Sequence, residues 1–421
     1  MAGTADIVAI QKAWRKIQGG VGQGINVECE EIGMIDNLAK EDQPYSFREN
    51  TIVVDLNEEG GIASINEGDF EAEEGSVGLN EYEIEAQHFI GRFSISNLAK
   101  YADKGQENQL ERDLTLRAAK KMQAMAAHVS DYFYGSNTGV LATTDTDFSG
   151  ATATLALTAG YGNTGITDAG YLARMFKAQD ADGRGGDTIA LINGSSLVAN
   201  TFARVTARDT TAGTITVAAA GSNPAITTNG LKVVKANSKG RSTVAHTDYL
   251  KGLVGMQDIL FGSSLHGLTH ANWTPAYSDT AAGRFTGAKL NRADAEIGDY
   301  GSGKADTVMI DRGVYRDLTF NVERAGLRHV EAFGMEIDGS VKSKGRKFFQ
   351  SRRVPPGWVV PFSSKALKKW QILPMPSNKV QWADGKEFID QSGMVFRMET
   401  VLGLVVTNRK QFSYFTNQTR A

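Results

Sequence analysis

Three short stretches of this chain have residue types and spacing that could do chemistry. Gly20-Val-Gly22-Gln-Gly24 has the close glycines that let a backbone wrap a phosphate. It follows a helical stripe rather than a strand, and no Lys-Ser/Thr pair closes it, so nucleotide binding is not supported. Asp180, Asp182 and Gly183 echo the start of a calcium loop, where alternating carboxylates ring a hard cation. Leu191 stands where the bidentate Glu would complete that ring, and an Asp/Gly turn is the better reading. His266 and His270 have the i, i+4 spacing that sets two imidazoles on one helix face for a metal. Gly262 and Gly267 disfavour a helix there, and no Glu lies between the two histidines. The 6 histidines are scattered and no G-x-S-x-G elbow is present, which gives hydrolase chemistry no foothold. We therefore expect no enzyme activity and no cofactor. Alternatives are a structural component that assembles as a ring of fixed subunit number, and a soluble α/β protein using Asp180, Asp182 and Asp187 to hold a divalent ion.

Charge is organised on a larger scale. From Glu49 to Gly91 there is no Lys or Arg, while Asp55, Glu58, Glu59, Glu67, Asp69, Glu71, Glu73, Glu74, Glu81, Glu83 and Glu85 accumulate. Such a segment buries little apolar surface by itself and should project from a domain and become ordered against a partner. Far along the chain, Lys342, Lys344, Arg346, Lys347, Arg352 and Arg353 cluster around Phe348 and Phe349. A solvated charge run, a nucleic-acid contact and a complement to the acidic segment of a neighbouring copy are the readings this cluster permits.

The elements that must position these groups follow from periodicity. Ile7, Ile10, Trp14 and Ile17 make one helical stripe, which gives residues 1–45 a short docking helix on an N-terminal arm. Residues 50–56 and 81–95 read as the two strands of a long hairpin, with Tyr82, Ile84, Ala86 and His88 on one face of the second. Residues 106–134 read as one helix of roughly 40 Å, ended by Gly135. Leu110, Leu114, Ala118, Met122, Met125, Val129 and Phe133 form its apolar stripe.

Beyond it, helices are expected over 163–179, 195–205, 288–300 and 314–322, with strands over 188–192, 307–310 and 394–407. The Thr-rich stretch 206–262 reads as an inserted β-rich subdomain.

Composition limits the remaining classes. A net charge of −3 over 421 residues does not describe an electrostatic nucleic-acid binder. Cys29 is the only cysteine, which rules out an intrachain disulfide and suits a reducing cytosol. No apolar run is long enough to span a membrane, and the N-terminus lacks a secretory signal's apolar core.

The order of parts resembles the major capsid proteins of tailed bacteriophages, the Hong Kong 97-type fold. The resemblance is carried by Phe93-Ser-Ile-Ser-Asn-Leu98 after the acidic segment and by Asp131-Tyr-Phe-Tyr-Gly135 at the helix end. Asp248-Tyr-Leu-Lys-Gly-Leu253 and Asp306-Thr-Val-Met-Ile-Asp-Arg-Gly-Val-Tyr-Arg-Asp-Leu318 extend it over nearly the full chain. It implies an α+β capsid fold: N-terminal arm (1–45), extended E-loop (46–95), spine helix of the P-domain (96–137), and passage from P-domain to A-domain (138–205). The inserted β-rich subdomain (206–262), A-domain (263–340) and P-domain return strands (341–421) complete it.

It further implies pentamers and hexamers closing an icosahedral head around double-stranded DNA in the virion, assembled in the host bacterial cytoplasm. Implied partners are other copies, a separate scaffolding protein, a portal, a cement protein, and non-specific DNA on the inner face, with no membrane. Interface residues under this reading are Glu58, Glu59, Glu67, Asp69, Glu71, Glu73 and Glu74 in the E-loop, the basic cluster, and Ile10, Trp14 and Ile17 in the arm. Some family members weld neighbouring subunits through an E-loop lysine. This chain has no lysine between Lys40 and Lys100, so no such bond is expected.

Overall fold

The fold is taken from a computed structural model. It describes residues 33–41, 51–55, 79–96, 121, 123–179, 185–193, 196–197, 202–219, 225–226, 230–236, 252–324, 334–335, 341–342, 345–373, 382–387 and 393–420.

Thr51–Asp55 (β1) pairs antiparallel with Leu79–Glu83 (β2), from Thr51↔Glu83 to Asp55↔Leu79. The single second strand expected over 81–95 is in fact two. Residues 84–86 leave the ladder, and Gln87–Ser96 (β3) pairs instead with a C-terminal strand at 393–406. The physical reason is side-chain phase. Tyr82 and Ile84 are buried on even positions, whereas past the break Phe89 and Gly91 are buried and His88 is exposed. A one-residue slip turns a strand over, so the break lets one chain present its apolar side to two different neighbours.

Residues 123–134 are helical, and the Gly135 N–H donates to the Tyr132 carbonyl at the expected end. Met125, Val129 and Phe133 are buried as the stripe requires. Ala126, Ser130, Asp131, Tyr132 and Tyr134 are buried as well, so the last turns are enclosed on every side.

Ala142–Thr144 (β4), Thr152–Gly160 (β5), the helix Ala169–Arg174 (α1), Thr188–Asn193 (β6), Ala203–Asp209 (β7), Thr214–Ala219 (β8) and Leu231–Lys235 (β9) follow. The strands lie in the spatial order β7-β8-β5-β4-β9-β6, and β6 also pairs back to β7 through Ala203↔Ile189 and Arg204↔Thr188. Six antiparallel strands thus close on themselves around Leu155, Ile189, Leu191, Val205, Ile215, Val217, Leu231 and Val233, all fully buried. Closure leaves this unit without the exposed edges an open sheet would carry.

Two sequence expectations are corrected here. No helix forms over 195–205 among the described residues. Ser196–Leu197 pairs with β6 and β7 begins at Ala203, with Ala203 and Val205 buried and Arg204 exposed, which is a period of two. The stretch 206–262 is not a separate inserted subdomain. Its proposed boundary cuts through β7, and β8 and β9 share one closed sheet with β4, β5 and β6. Thr-rich composition marks some of these strands, but only long-range pairing decides which unit owns them.

Residues 252–255 cross the end of the 123–134 helix at backbone contact. A Cβ on Gly255 would stand 2.4 Å from the Gly135 carbonyl oxygen, and one on Gly252 2.5 Å from that of Ser136. Only glycine fits this crossing, and the helix Met256–Phe261 (α2) starts directly after it.

The helix Gly287–Gly301 (α3), the strand Thr307–Asp311 (β10), the helix Arg312–Arg324 (α4), and the strands Lys347–Ser351 (β11), Val359–Phe362 (β12), Leu367–Leu373 (β13), Trp382–Glu387 (β14), Gly393–Val406 (β15) and Ser413–Phe415 (β16) complete the order. One sheet runs Tyr277–Asp279, β16, β12, β10, β11, with β10 and β11 parallel and α4 in the connection between them. Another is organised on β15, which pairs with β3, β13 and β14. β13 also takes Ala39–Lys40 as a parallel neighbour. Among the described residues no helix is long and apolar enough to cross a membrane.

Candidate assembly surfaces

The hairpin is anchored on one face and charged on the other. Val54, Tyr82 and Ile84 are buried, and the Tyr82 hydroxyl donates to the Val406 carbonyl oxygen at 2.8 Å. Burial keeps that phenol neutral, raising its pKa well above the ordinary 10. On the opposite face Val53 is 53% exposed, and Glu81, Glu83 and Glu85 are exposed beside it. The strand alternation read from the sequence thus separates an anchoring side from an acidic side. Glu58, Glu59, Glu67, Asp69, Glu71, Glu73 and Glu74 lie outside the described residues, as do Ile10, Trp14 and Ile17 of the arm.

The basic cluster divides. The Arg346 side chain is 2% exposed, meets Asp294 of α3 at 2.6 Å, and donates through Nε to the Ala305 carbonyl. Arg353 meets the buried Asp131 of the 123–134 helix at 2.7 Å. These two are internal ties. Lys347 and Arg352 are exposed on and beside β11. Lys342 sits in the short strand Val341–Lys342, paired with Gly334–Met335, and Lys344 lies outside the described residues.

A neighbouring basic face went unseen in the sequence. Arg312, Arg316 and Phe320 are all exposed at i, i+4, i+8 on α4, whose other side packs Val314 and Leu318 inward. Helical spacing was the signal: the 314–322 stripe marks the inward side, and the residues opposite it are two arginines and a phenylalanine.

Asp131 gathers cations from distant segments. It holds Arg353 and also Lys235 of β9 at 3.4 Å, while Lys235 reaches Asp187 at the same distance. Helix, barrel and the end of β11 are tied through these four side chains. Near them the Tyr171 hydroxyl donates to the Arg353 carbonyl at 2.8 Å and lies 2.9 Å from the Tyr161 hydroxyl.

Among the described residues, Arg409 is the largest charged side chain fully inside. Nε donates to the Ile259 carbonyl at 2.6 Å, Nη1 to Trp273, and Nη2 to Asp258 and Gly262. The guanidinium supplies donors to carbonyls at the end of α2, sharing that of Asp258 with the Gly262 N–H, and ties them to the Trp273 carbonyl. Burial lowers its pKa to about 10, so it stays charged at neutral pH.

The residues first weighed for metal chemistry are dispersed. Asp180 and Asp182 lie outside the described residues, and Asp187 is engaged by Lys235. His266 sits in a turn at φ +53° rather than on a helix, and the His270 Nδ1 accepts from the Asn272 N–H. Among the described residues no three His, Cys, Asp or Glu side chains gather as a metal site.

No family sequence model matches the chain, and no curated protein matches it by sequence. Solved structures do. A chain of the cyanophage A-1(L) capsid asymmetric unit is similar at a TM-score of 0.50 and 10% identity, covering 94% of this chain and 95% of that one. A chain of Gordonia phage Cozz gives 0.42 and 10%, covering 92% and 87%. The SrpI encapsulin of Synechococcus elongatus gives 0.41 and 9%, covering 94% and 89%. The first likeness shows the fold: a mixed helix-and-strand capsid-type fold over nearly the whole chain.

Proposed function

We propose that this chain is a structural shell protein, a major capsid protein whose copies assemble as pentamers and hexamers into an icosahedral head enclosing double-stranded DNA. The observation that carries the reading is the fold likeness to a cyanophage capsid chain over 94% of this chain. In this reading residues 1–45 are the N-terminal arm, 46–95 the extended E-loop, 96–137 the spine, and the two later sheets with their helices the P- and A-domains. The β1–β2 ladder with its one-sided acidity supports the E-loop assignment.

Function then lies in contacts between copies. The acidic hairpin face is directed at a neighbour's cations, and among the described side chains of the sequence cluster Lys347 and Arg352 are exposed. Modest contacts of this kind, repeated around a closed shell, add up without one strong site. A scaffolding protein, a portal, a cement protein and non-specific DNA are the further partners under this reading. Mass photometry of the purified protein with and without a candidate scaffold tests the reading. Masses at five and six chains, or far above them, are expected. Only one or two chains under every condition contradicts it.

A further inference from the structure

Two histidines outside these surfaces stand against the strands that carry the hairpin. His266 lies in the turn closed by the Leu265–Leu268 bridge, in the left-handed backbone region at φ +53°. That conformation costs a non-glycine residue about 1 kcal/mol. Its ring stacks on Tyr82 of β2, with centroids 4.5 Å apart and planes 10° apart, and Trp273 lies 6.1 Å from the same Tyr82. Both ring nitrogens of His266 are buried without a hydrogen-bond partner among the described residues. On the adjoining strand, Phe89 of β3 meets His128 of the 123–134 helix edge-on at 5.9 Å, and His128 packs on Tyr132 at 4.8 Å. A strained turn and two unsatisfied buried nitrogens are a standing cost, and such costs gather at functional places.

We propose that these two neutral imidazoles form an acid-operated latch, holding β2 and β3 down while uncharged and releasing them when protonated. An imidazolium carries an N–H on both nitrogens, and each needs an acceptor. At His266 neither nitrogen has one. The charge it feels is the Arg409 guanidinium, with Asp258 beyond it at that guanidinium, and on the β2 side it faces the neutral Tyr82 phenol. At His128 the surrounding charges are Lys235, Lys121 and Arg353, and the nearby anion Asp131 already pairs with Arg353 and Lys235. Burial first, and these cations second, push His266 down to about 4 and His128 well below the ordinary 6.5.

The sign follows. The released state binds protons more readily than the latched one, so latching is complete above pH 6.5 and is lost as pH falls toward 4. For His266 alone, values of 6.5 released and about 4 latched make release about thirtyfold more favourable at pH 5 than at pH 7.5. The latch belongs to a single chain and stands whatever the hairpin meets.

Hydrogen exchange of the purified protein at pH 7.5 and 5.0, corrected for intrinsic exchange, tests it. Protection over residues 79–96 should fall about thirtyfold or more, while β10, in another sheet, serves as the reference and holds. His266→Phe and His128→Phe, which keep a ring at each place, should each remove part of that fall, and the double variant most of it. Parallel change in 79–96 and β10 overturns the proposal. Should the variants not fold, the C2–H exchange midpoint of His266 in the unaltered protein decides. A midpoint near 4 supports the latch, and one near 6.5 overturns it.

Discussion

Arg346 and Lys347 are neighbours in the chain and opposite in placement. Arg346 is buried against Asp294 and the Ala305 carbonyl, and Lys347, the first residue of β11, is exposed. The same division separates Arg353, held by Asp131, from the exposed Arg352. Charge density in a sequence therefore does not define a surface. At each end of β11 one cation turns inward to a carboxylate while its chain neighbour is exposed. The hairpin obeys the same rule, with Tyr82 anchoring it and Glu81 and Glu83 facing outward.

Substitutions can break this comparison. The largest effect is expected at Arg409, the extreme of the inward class. Arg409→Ala removes four hydrogen bonds to carbonyls from a buried site and should destabilise the protein by about 4 kcal/mol, read from the urea midpoint. Arg346→Ala leaves Asp294 without its partner and should cost about 2–4 kcal/mol in the same assay. Arg353→Ala should cost less, because Asp131 keeps Lys235. Tyr82→Phe removes one buried hydrogen bond and should cost about 1 kcal/mol. Lys347→Ala should lie within about 0.5 kcal/mol of the parent, as exposed cations usually do. Lys347→Glu should lower the yield of assembled particles at an unchanged urea midpoint. A large stability loss at Lys347, or none at Arg346, would erase the distinction.

Much of the fold was legible. Periodicity located the helices α3 and α4, the strands β6, β10 and β15 and the helix end at Gly135, while the helix expected over 163–179 is confined to Ala169–Arg174. What failed depended on distance along the chain. The break at 84–86 is visible only once β3 is seen on β15, and the six-stranded closure only once β6 meets β7. The internal roles of Arg346, Arg353 and Arg409 were hidden for the same reason, since their partners lie 52, 222 and up to 151 residues away. Of the candidate surfaces, the acidic outer face of β2 follows from strand period, whereas the α4 face needed the helix to be read on its polar side.

Electron microscopy of the purified protein, expressed with and without a candidate scaffolding protein, addresses the central claim most directly. The account predicts closed particles several tens of nanometres across, or isolated five- and six-membered rings of this chain. A uniform population of single chains or dimers under both conditions would contradict it.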